Sequence, residues 1–277
     1  MINKVVNIDV DYDAMGVERS PRQTTLTTYI LDERNITLSS IKKRPAVIVC
    51  PGGGYSFTSE REAEPIALRY CGAGFHSFVL DYSVEPSSFP AAICELSKAV
   101  KYVKDIADEN NIDADKIFVI GFSAGGHLAA SLGVFFAHTD VKKFADVDGI
   151  INKPRGIILS YPVITAEEGY THEGTINNFC GGKRELRELA GLEKHVTSET
   201  PECFIWHTFS DGGVPVESSL RFATALRKNG VKFEMHIYPD GAHGLSLADE
   251  MTCSEQMITP AVQNWIDMSI RWIKDMK

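Results

Sequence analysis

Short runs of apolar, mostly β-branched residues alternate along the chain with stretches whose apolar residues recur every three or four positions. The first pattern fits strands buried on both faces, and the second fits helices with one buried stripe. Ala46 to Cys50 is the first clear strand run, stopped by Pro51 and three glycines. Glu60 to Cys71 has helical spacing, and Gly74 to Tyr82 reads as the next strand. Phe89, Ala92, Ile93, Leu96, Val100, Val103 and Ile106 fall on one face of an amphipathic helix. A strand from Lys116 to Gly121 follows, then a helix from Ser123 towards Phe136.

Strands at Gly156 to Ser160 and Cys203 to Thr208 come next, about forty residues apart. A gap that long between core strands predicts an insertion, a small cap at 163–200 with a charged helical piece from Arg184 to Leu192. Helix Glu217 to Lys228 and strand Lys232 to Tyr238 precede a final helix. That helix is expected to carry Ile258, Val262, Trp265, Ile266, Trp272 and Ile273 on one stripe. The weak alternation of the first thirty residues, as in Thr24 to Leu31, predicts antiparallel strands at the sheet edge. Together these elements predict an α/β fold, a mostly parallel central sheet flanked by helices, with residues 1–277 forming one domain.

Composition narrows the class. With 277 residues, 44% hydrophobic and 23% charged, the chain can bury a large core. A net charge of −9 speaks against a nucleic-acid partner, which would need clustered Lys and Arg. The start, MINKVVNIDVDYDAMG, lacks the long apolar run of a secretory signal. No stretch approaches the roughly 20 apolar residues that span a bilayer, so no membrane partner is expected. Cys50, Cys71, Cys94, Cys180, Cys203 and Cys253 are scattered, with no C-x-x-C pair, and read as buried free thiols in a cytoplasmic protein. Asn35-Ile36-Thr37 matches a glycosylation sequon that such a compartment would leave idle. A homo-oligomer is compatible with the sequence but not readable from it.

The chemistry concentrates in three segments. Gly121-Phe122-Ser123-Ala124-Gly125 matches G-x-S-x-G between an apolar strand and a helix. A serine hydroxyl is a poor nucleophile unless it is presented on a sharp turn beside a base, and this context supplies that turn. The amide of Ala124 and the dipole of the helix beginning there are aimed at developing negative charge. Pro51-Gly52-Gly53-Gly54-Tyr55, after an earlier strand, reads as a loop whose Gly53 and Gly54 amides complete an oxyanion site. A phosphate loop would need Gly-Lys-Ser/Thr and a dinucleotide fingerprint G-x-G-x-x-G; both are missing, which leaves a plain turn as the alternative. His243 lies in a glycine-flanked loop after the strand ending at Tyr238, where the order Ser…Asp…His places the base. Asp211 follows the preceding strand and is the preferred acid; Asp240 is its rival and fits a turn former.

Other residues read as supporting. His127, four residues after Ser123, lies one helical turn away and is expected to pack, as are His207 and His76. Tyr55 is expected to bind substrate and Pro162 to line the pocket, while Phe122 and Tyr161 either line it or pack. No H-E-x-x-H or comparable ligand spacing occurs, so neither a metal nor a cofactor is expected.

PGGGY (51–55), LDY (80–82), GFSAGGHLAA (121–130), SYPV (160–163), WHTFSDGGVPVESSL (206–220) and YPDGAHGLSLA (238–248) cover most of the chain from about residue 45. In this order they resemble the small carboxylesterases and acetyl-xylan or feruloyl esterase-like α/β-hydrolases, relatives of the hormone-sensitive-lipase-like esterases. The resemblance implies an α/β-hydrolase fold, a nucleophile at Ser123, an acid at Asp211, a base at His243, and oxyanion donors at Gly53, Gly54 and Ala124. Pro51 departs from it, since many relatives carry histidine before the glycines. A serine carboxylester hydrolase acting on a small-molecule ester of short acyl chain, acetyl and sugar-linked among them, is the function implied. A prolyl-oligopeptidase-type serine peptidase and a non-catalytic binding protein on the same fold are the alternatives.

Overall fold

Val47, Ile48, Val49 and Cys50 are fully buried, although successive side chains of a strand point to opposite sides. This requires cover on both faces of the sheet, and the computed structural model, which describes residues 1–32 and 43–276, has it. Ala46, Ile48 and Cys50 face one core layer, while Val47 and Val49 face the other. Burying each such Val or Ile contributes roughly 1.5–3 kcal/mol, so the apolar runs, not the loops, fix where strands lie.

The strands are β1 (Ile2–Asn7), β2 (Thr25–Ile30), β3 (Arg44–Cys50), β4 (His76–Asp81), β5 (Ile112–Phe122), β6 (Gly156–Ser160), β7 (Glu202–Thr208) and β8 (Phe233–Tyr238). They form one eight-stranded sheet in the order β1-β2-β4-β3-β5-β6-β7-β8. β1 pairs antiparallel with β2, and β2 antiparallel with β4; the six strands from β4 to β8 are parallel. The antiparallel pair stands at the edge, where the weak alternation of the first thirty residues placed it.

Nine α-helices connect them among the described residues: α1 (Tyr12–Met15), α2 (Glu64–Gly72), α3 (Ala91–Asp105), α4 (Ala124–Phe135), α5 (Thr139–Ala145), α6 (Glu173–Cys180), α7 (Arg187–Ala190), α8 (Glu217–Lys228) and α9 (Trp265–Asp275). Side chains of α3, α4 and α8 (Leu96, Leu132 and Phe222 among them) build one layer; Ile66 and Tyr70 of α2 and Trp265 and Trp272 of α9 build the other. No helix among the described residues is long and apolar enough to cross a membrane. The six cysteines are free thiols, with Cys71 and Cys253 only half-buried. The sequon Asn35–Thr37 lies outside the described residues.

Several expected elements differ in detail. The Glu60–Cys71 helix is split into a 3₁₀ turn, Glu60–Glu62, and α2. Pro65 explains the break, because proline fits only the first turn of a helix. The final helix begins at Trp265, so Ile258 and Val262 precede it; Ile258 is extended at ψ 118°, two residues before Pro260. The insertion at 163–200 is a small cap, but its charged piece is two 3₁₀ turns around the four-residue α7. Its main helix is α6, over a segment whose polar composition hid it.

Candidate active site

β5 ends at Phe122 and α4 starts at Ala124, so Ser123 alone must turn the chain between them. It does so at φ 52° and ψ −115°, a region that costs a non-glycine residue about 1–3 kcal/mol. The turn needs two close approaches. A Cβ on Gly121 would lie 2.0 Å from the carbonyl oxygen of Gly125, and a Cβ on Gly125 would lie 2.1 Å from that of Cys50. Backbone bonds hold the result: Ser123 N–H donates to Ser160 O at 3.0 Å, and Ser123 O accepts from His127 N and Val163 N at 3.0 and 3.1 Å. Tyr55, Tyr161, Ser246 and Ala248 also have positive φ, so backbone strain gathers around this serine.

His243 Nε2 lies 2.8 Å from Ser123 Oγ, and its Nδ1 lies 2.8 Å from Asp211 Oδ2. Asp211 sits in the loop after β7, and its Oδ1 accepts from the amides of Gly213 and Val214 at 2.8 and 2.9 Å. Its Oδ2 is also 3.3 Å from Nε2 of the buried His207. Because His207 Nε2 donates to Val214 O at 3.0 Å, it carries a proton, and it points that proton at the acid as well. Burial acts to raise the Asp211 carboxyl, but hydrogen bonds from His207 and His243 outweigh it and hold the group well below the usual carboxylate range. An ionised Asp211 keeps the proton of neutral His243 on Nδ1, which leaves the Nε2 lone pair facing the serine hydroxyl. Asp240 is exposed, and His243 is bonded to Asp211 instead.

Ser123 and His243 open onto a cleft of about 350 Å³ that Gly53, Gly54, Phe57 and His172 also line. Gly53 and Gly54 take φ of 131° and 65°, conformations open to glycine. The amide of Gly52 is engaged elsewhere, donating to Glu62 Oε2 at 2.8 Å. Ala124 follows the serine as the first residue of α4. Tyr55 is not in the cleft, contrary to expectation. Its φ of 57° turns the side chain inward, where it is 4% exposed and its hydroxyl lies 3.0 Å from His127 Nδ1. Phe122 and Tyr161 are likewise packed.

His127 joins three parts of the site. Its Nε2 donates to Ala190 O of the cap at 3.1 Å, and Nδ1 accepts from Tyr55 OH behind the glycine loop. Burial pushes its pKa down to about 4 from the ordinary 6.5. The unfolded chain therefore takes up this proton first as pH falls, so stability is full above pH 6.5 and declines towards pH 4, by about 3 kcal/mol in all. His127→Gln keeps an acceptor and a donor but does not titrate. Thermal melts should show a shallower loss between pH 6.5 and 4 in the variant than in the parent.

Glu62 carries no local signature, since it lies in a charged run, Glu60-Arg-Glu-Ala-Glu64. The side chain is nevertheless 3% exposed and borders the cleft. Besides the Gly52 amide, its carboxyl group accepts from Tyr161 OH at 2.6 Å, and that hydroxyl accepts from Ser246 N–H at 2.9 Å. One carboxyl thus ties the glycine loop, the segment after β6 and the loop carrying His243. Glu62→Ala would leave two buried donors unmatched at about 1–3 kcal/mol each. Melting temperature should fall, and kcat should fall by roughly tenfold to a hundredfold as the loops shift. Unchanged kcat in the folded variant would remove Glu62 from the site. Asn178 of α6 does related work, donating to Gly54 O and Ser56 Oγ at 2.9 and 2.8 Å. Among the described residues, no cluster of three or more His, Cys, Asp or Glu could hold a metal ion.

The BD-FAE family model matches residues 36–226, a span that includes the glycine loop, Ser123 and Asp211. The chain belongs to the BD-FAE family. His243 lies beyond the span matched by the BD-FAE model. Two of the curated proteins similar in sequence have names that bear on the site. The endo-1,4-beta-xylanase B of Butyrivibrio fibrisolvens is 40% identical over 75% of this chain and 33% of its own length. The acetylxylan esterase of Xylanibacter ruminicola is 26% identical over 80% of this chain and 45% of its own. This BD-FAE chain therefore spans less than half the length of either. Solved structures match end to end. An acetyl ester-xyloside bifunctional hydrolase from Caldicellulosiruptor lactoaceticus is 36% identical with a TM-score of 0.83, covering 98% of this chain and 95% of its own. The carboxylesterase Cest-2923 of Lactobacillus plantarum is 26% identical with a TM-score of 0.84, covering 99% and 98%. These neighbours share the α/β-hydrolase fold with the BD-FAE chain.

Proposed function

We propose that the chain is a serine carboxylester hydrolase that removes short acyl groups, acetyl foremost, from small polar alcohols such as sugars. One observation carries the reading: the two 2.8 Å contacts linking Ser123, His243 and Asp211, with Ser123 and His243 lining one cleft beside Gly53 and Gly54. His243 takes the Ser123 proton as the hydroxyl attacks the ester carbonyl, and Asp211 stabilises the imidazolium. Amides of Gly53, Gly54 and Ala124 receive the oxyanion, each worth roughly 3 kcal/mol in the transition state. His243 then protonates the departing alcohol, and water attacks the acyl-enzyme by the same route in reverse. The names of the Xylanibacter and Caldicellulosiruptor relatives support acetyl esters. The eight strands in one sheet support a single domain over 1–277, and the scattered thiols support the cytoplasm as its compartment.

The test pairs covalent labelling with turnover. A fluorophosphonate should modify the parent protein at Ser123 and fail to modify Ser123→Ala. Across p-nitrophenyl esters, acetate should be the best substrate, with activity falling as the acyl chain lengthens. Absence of labelling, or preference for octanoate, would sink the reading.

A further inference from the structure

Two rings flank the glycine loop of the cleft, and neither has a part in the acyl-transfer steps. Phe57 Cδ2 lies 3.1 Å from the point a Cβ on Gly53 would occupy, and His172 Cε1 lies 3.8 Å from the corresponding point on Gly54. Each ring therefore borders one of the two glycines whose amides are assigned to the oxyanion. Phe57 is 57% exposed, a large apolar surface left in water at the edge of a cleft whose other lining is mainly polar. Such an open aromatic face does not suit a short acyl group, which binds best where water is excluded. It suits a ring that keeps part of its own hydration.

His172 complements it. Its Nδ1 accepts from Thr175 N–H at 3.2 Å and lies 2.8 Å from Thr175 Oγ1, so this nitrogen holds a lone pair and the proton of the neutral ring sits on Nε2. Desolvation, and after it the charge of His243, keeps the imidazole below the ordinary histidine range, which favours that neutral form. Among the described residues Nε2 has no hydrogen-bond partner, so the cap presents one N–H donor to the cleft.

We infer that Phe57 and His172 form a subsite for the alcohol half of the ester, and that the alcohol is a pyranose-like, polyhydroxylated ring. The apolar C–H face of such a ring lies on Phe57, and one of its hydroxyls accepts from His172 Nε2–H. This rests on the reading of the chain as an acyl-ester hydrolase, because only then does the leaving alcohol emerge beside Gly53 and Gly54. The two rings come from different segments, the glycine loop and the cap, so together they set which alcohols are recognised.

The test compares kcat/KM for an O-acetylated xylobiose with kcat/KM for ethyl acetate, whose alcohol is too small to reach both rings. Taken as a ratio, the two cancel any difference in the fraction of active protein. Phe57→Ala and His172→Ala are each expected to lower that ratio by about tenfold, the scale of one lost contact in a specificity pocket. His172→Gln, which restores an N–H donor, should recover part of the loss, as a merely structural histidine would not. Ratios unchanged from the parent in both alanine variants would overturn the subsite. If the parent released acetate from neither ester, the hydrolase reading would fail instead, so the two failures are distinguishable.

Discussion

Asp211→Asn is expected to lower kcat for p-nitrophenyl acetate by roughly 10⁴-fold while leaving the fold intact. Asn Oδ1 would keep the amides of Gly213 and Val214, which bond the same oxygen in the parent. Its NH₂ group would then face His243 Nδ1 and His207 Nε2, where Asp211 Oδ2 accepts now. A donor facing His243 Nδ1 drives the proton to Nε2, and an Nε2–H cannot accept the proton of Ser123. The loss is therefore one of tautomer and not of position. Steady-state kinetics beside a thermal melt would check it. A loss below tenfold would mean that Asp211 does not set the state of His243.

The second large effect belongs to Ser123 and His243 acting as a unit. Ser123→Ala and His243→Ala should each reduce kcat by roughly 10⁴ to 10⁶-fold, and the double variant should be no worse than the worse single one. Without the hydroxyl there is nothing for His243 to deprotonate, and without His243 the hydroxyl stays a weak nucleophile. Losses that multiply in the double variant would show independent roles and contradict the 2.8 Å contact between them. Residual turnover in all three variants would report the contribution of the glycine loop alone.

Residues with a local sequence signature were legible, and residues defined by long-range contacts were not. Ser123 has a strand before it, a helix after it and glycines on either side, all within a few positions. His243 and Asp211 could be placed from the order of strands, because each follows the carboxyl end of one. Glu62, His172 and Asn178 had no such marker. Glu62 reads as a solvated charge until the fold brings Gly52 and Tyr161 to it, and Asn178 reads as an ordinary polar helix residue until Gly54 lies against it. Tyr55 departs from its expected place for a related reason: its neighbours in sequence line the cleft, but its own positive φ sends the ring the other way. α9 starts later than the apolar spacing predicts, because that spacing continues through Pro260, where backbone restriction overrides periodicity.

Arg61 illustrates how far apart in the chain the parts of this site lie. Its guanidinium donates to the carbonyl oxygens of Gly244 and Thr252, 183 and 191 residues further on, and its own carbonyl accepts from Ser246 Oγ. The loop that carries His243 is thus moored to a segment from the first quarter of the protein. Loop-closure entropy makes contacts of such separation late events in folding. A chain growing from its amino terminus would complete the nucleophile turn and the acid loop well before the base could dock. The contact between Ser123 and His243 would then form late, withheld until β8 and the loop after it are in place.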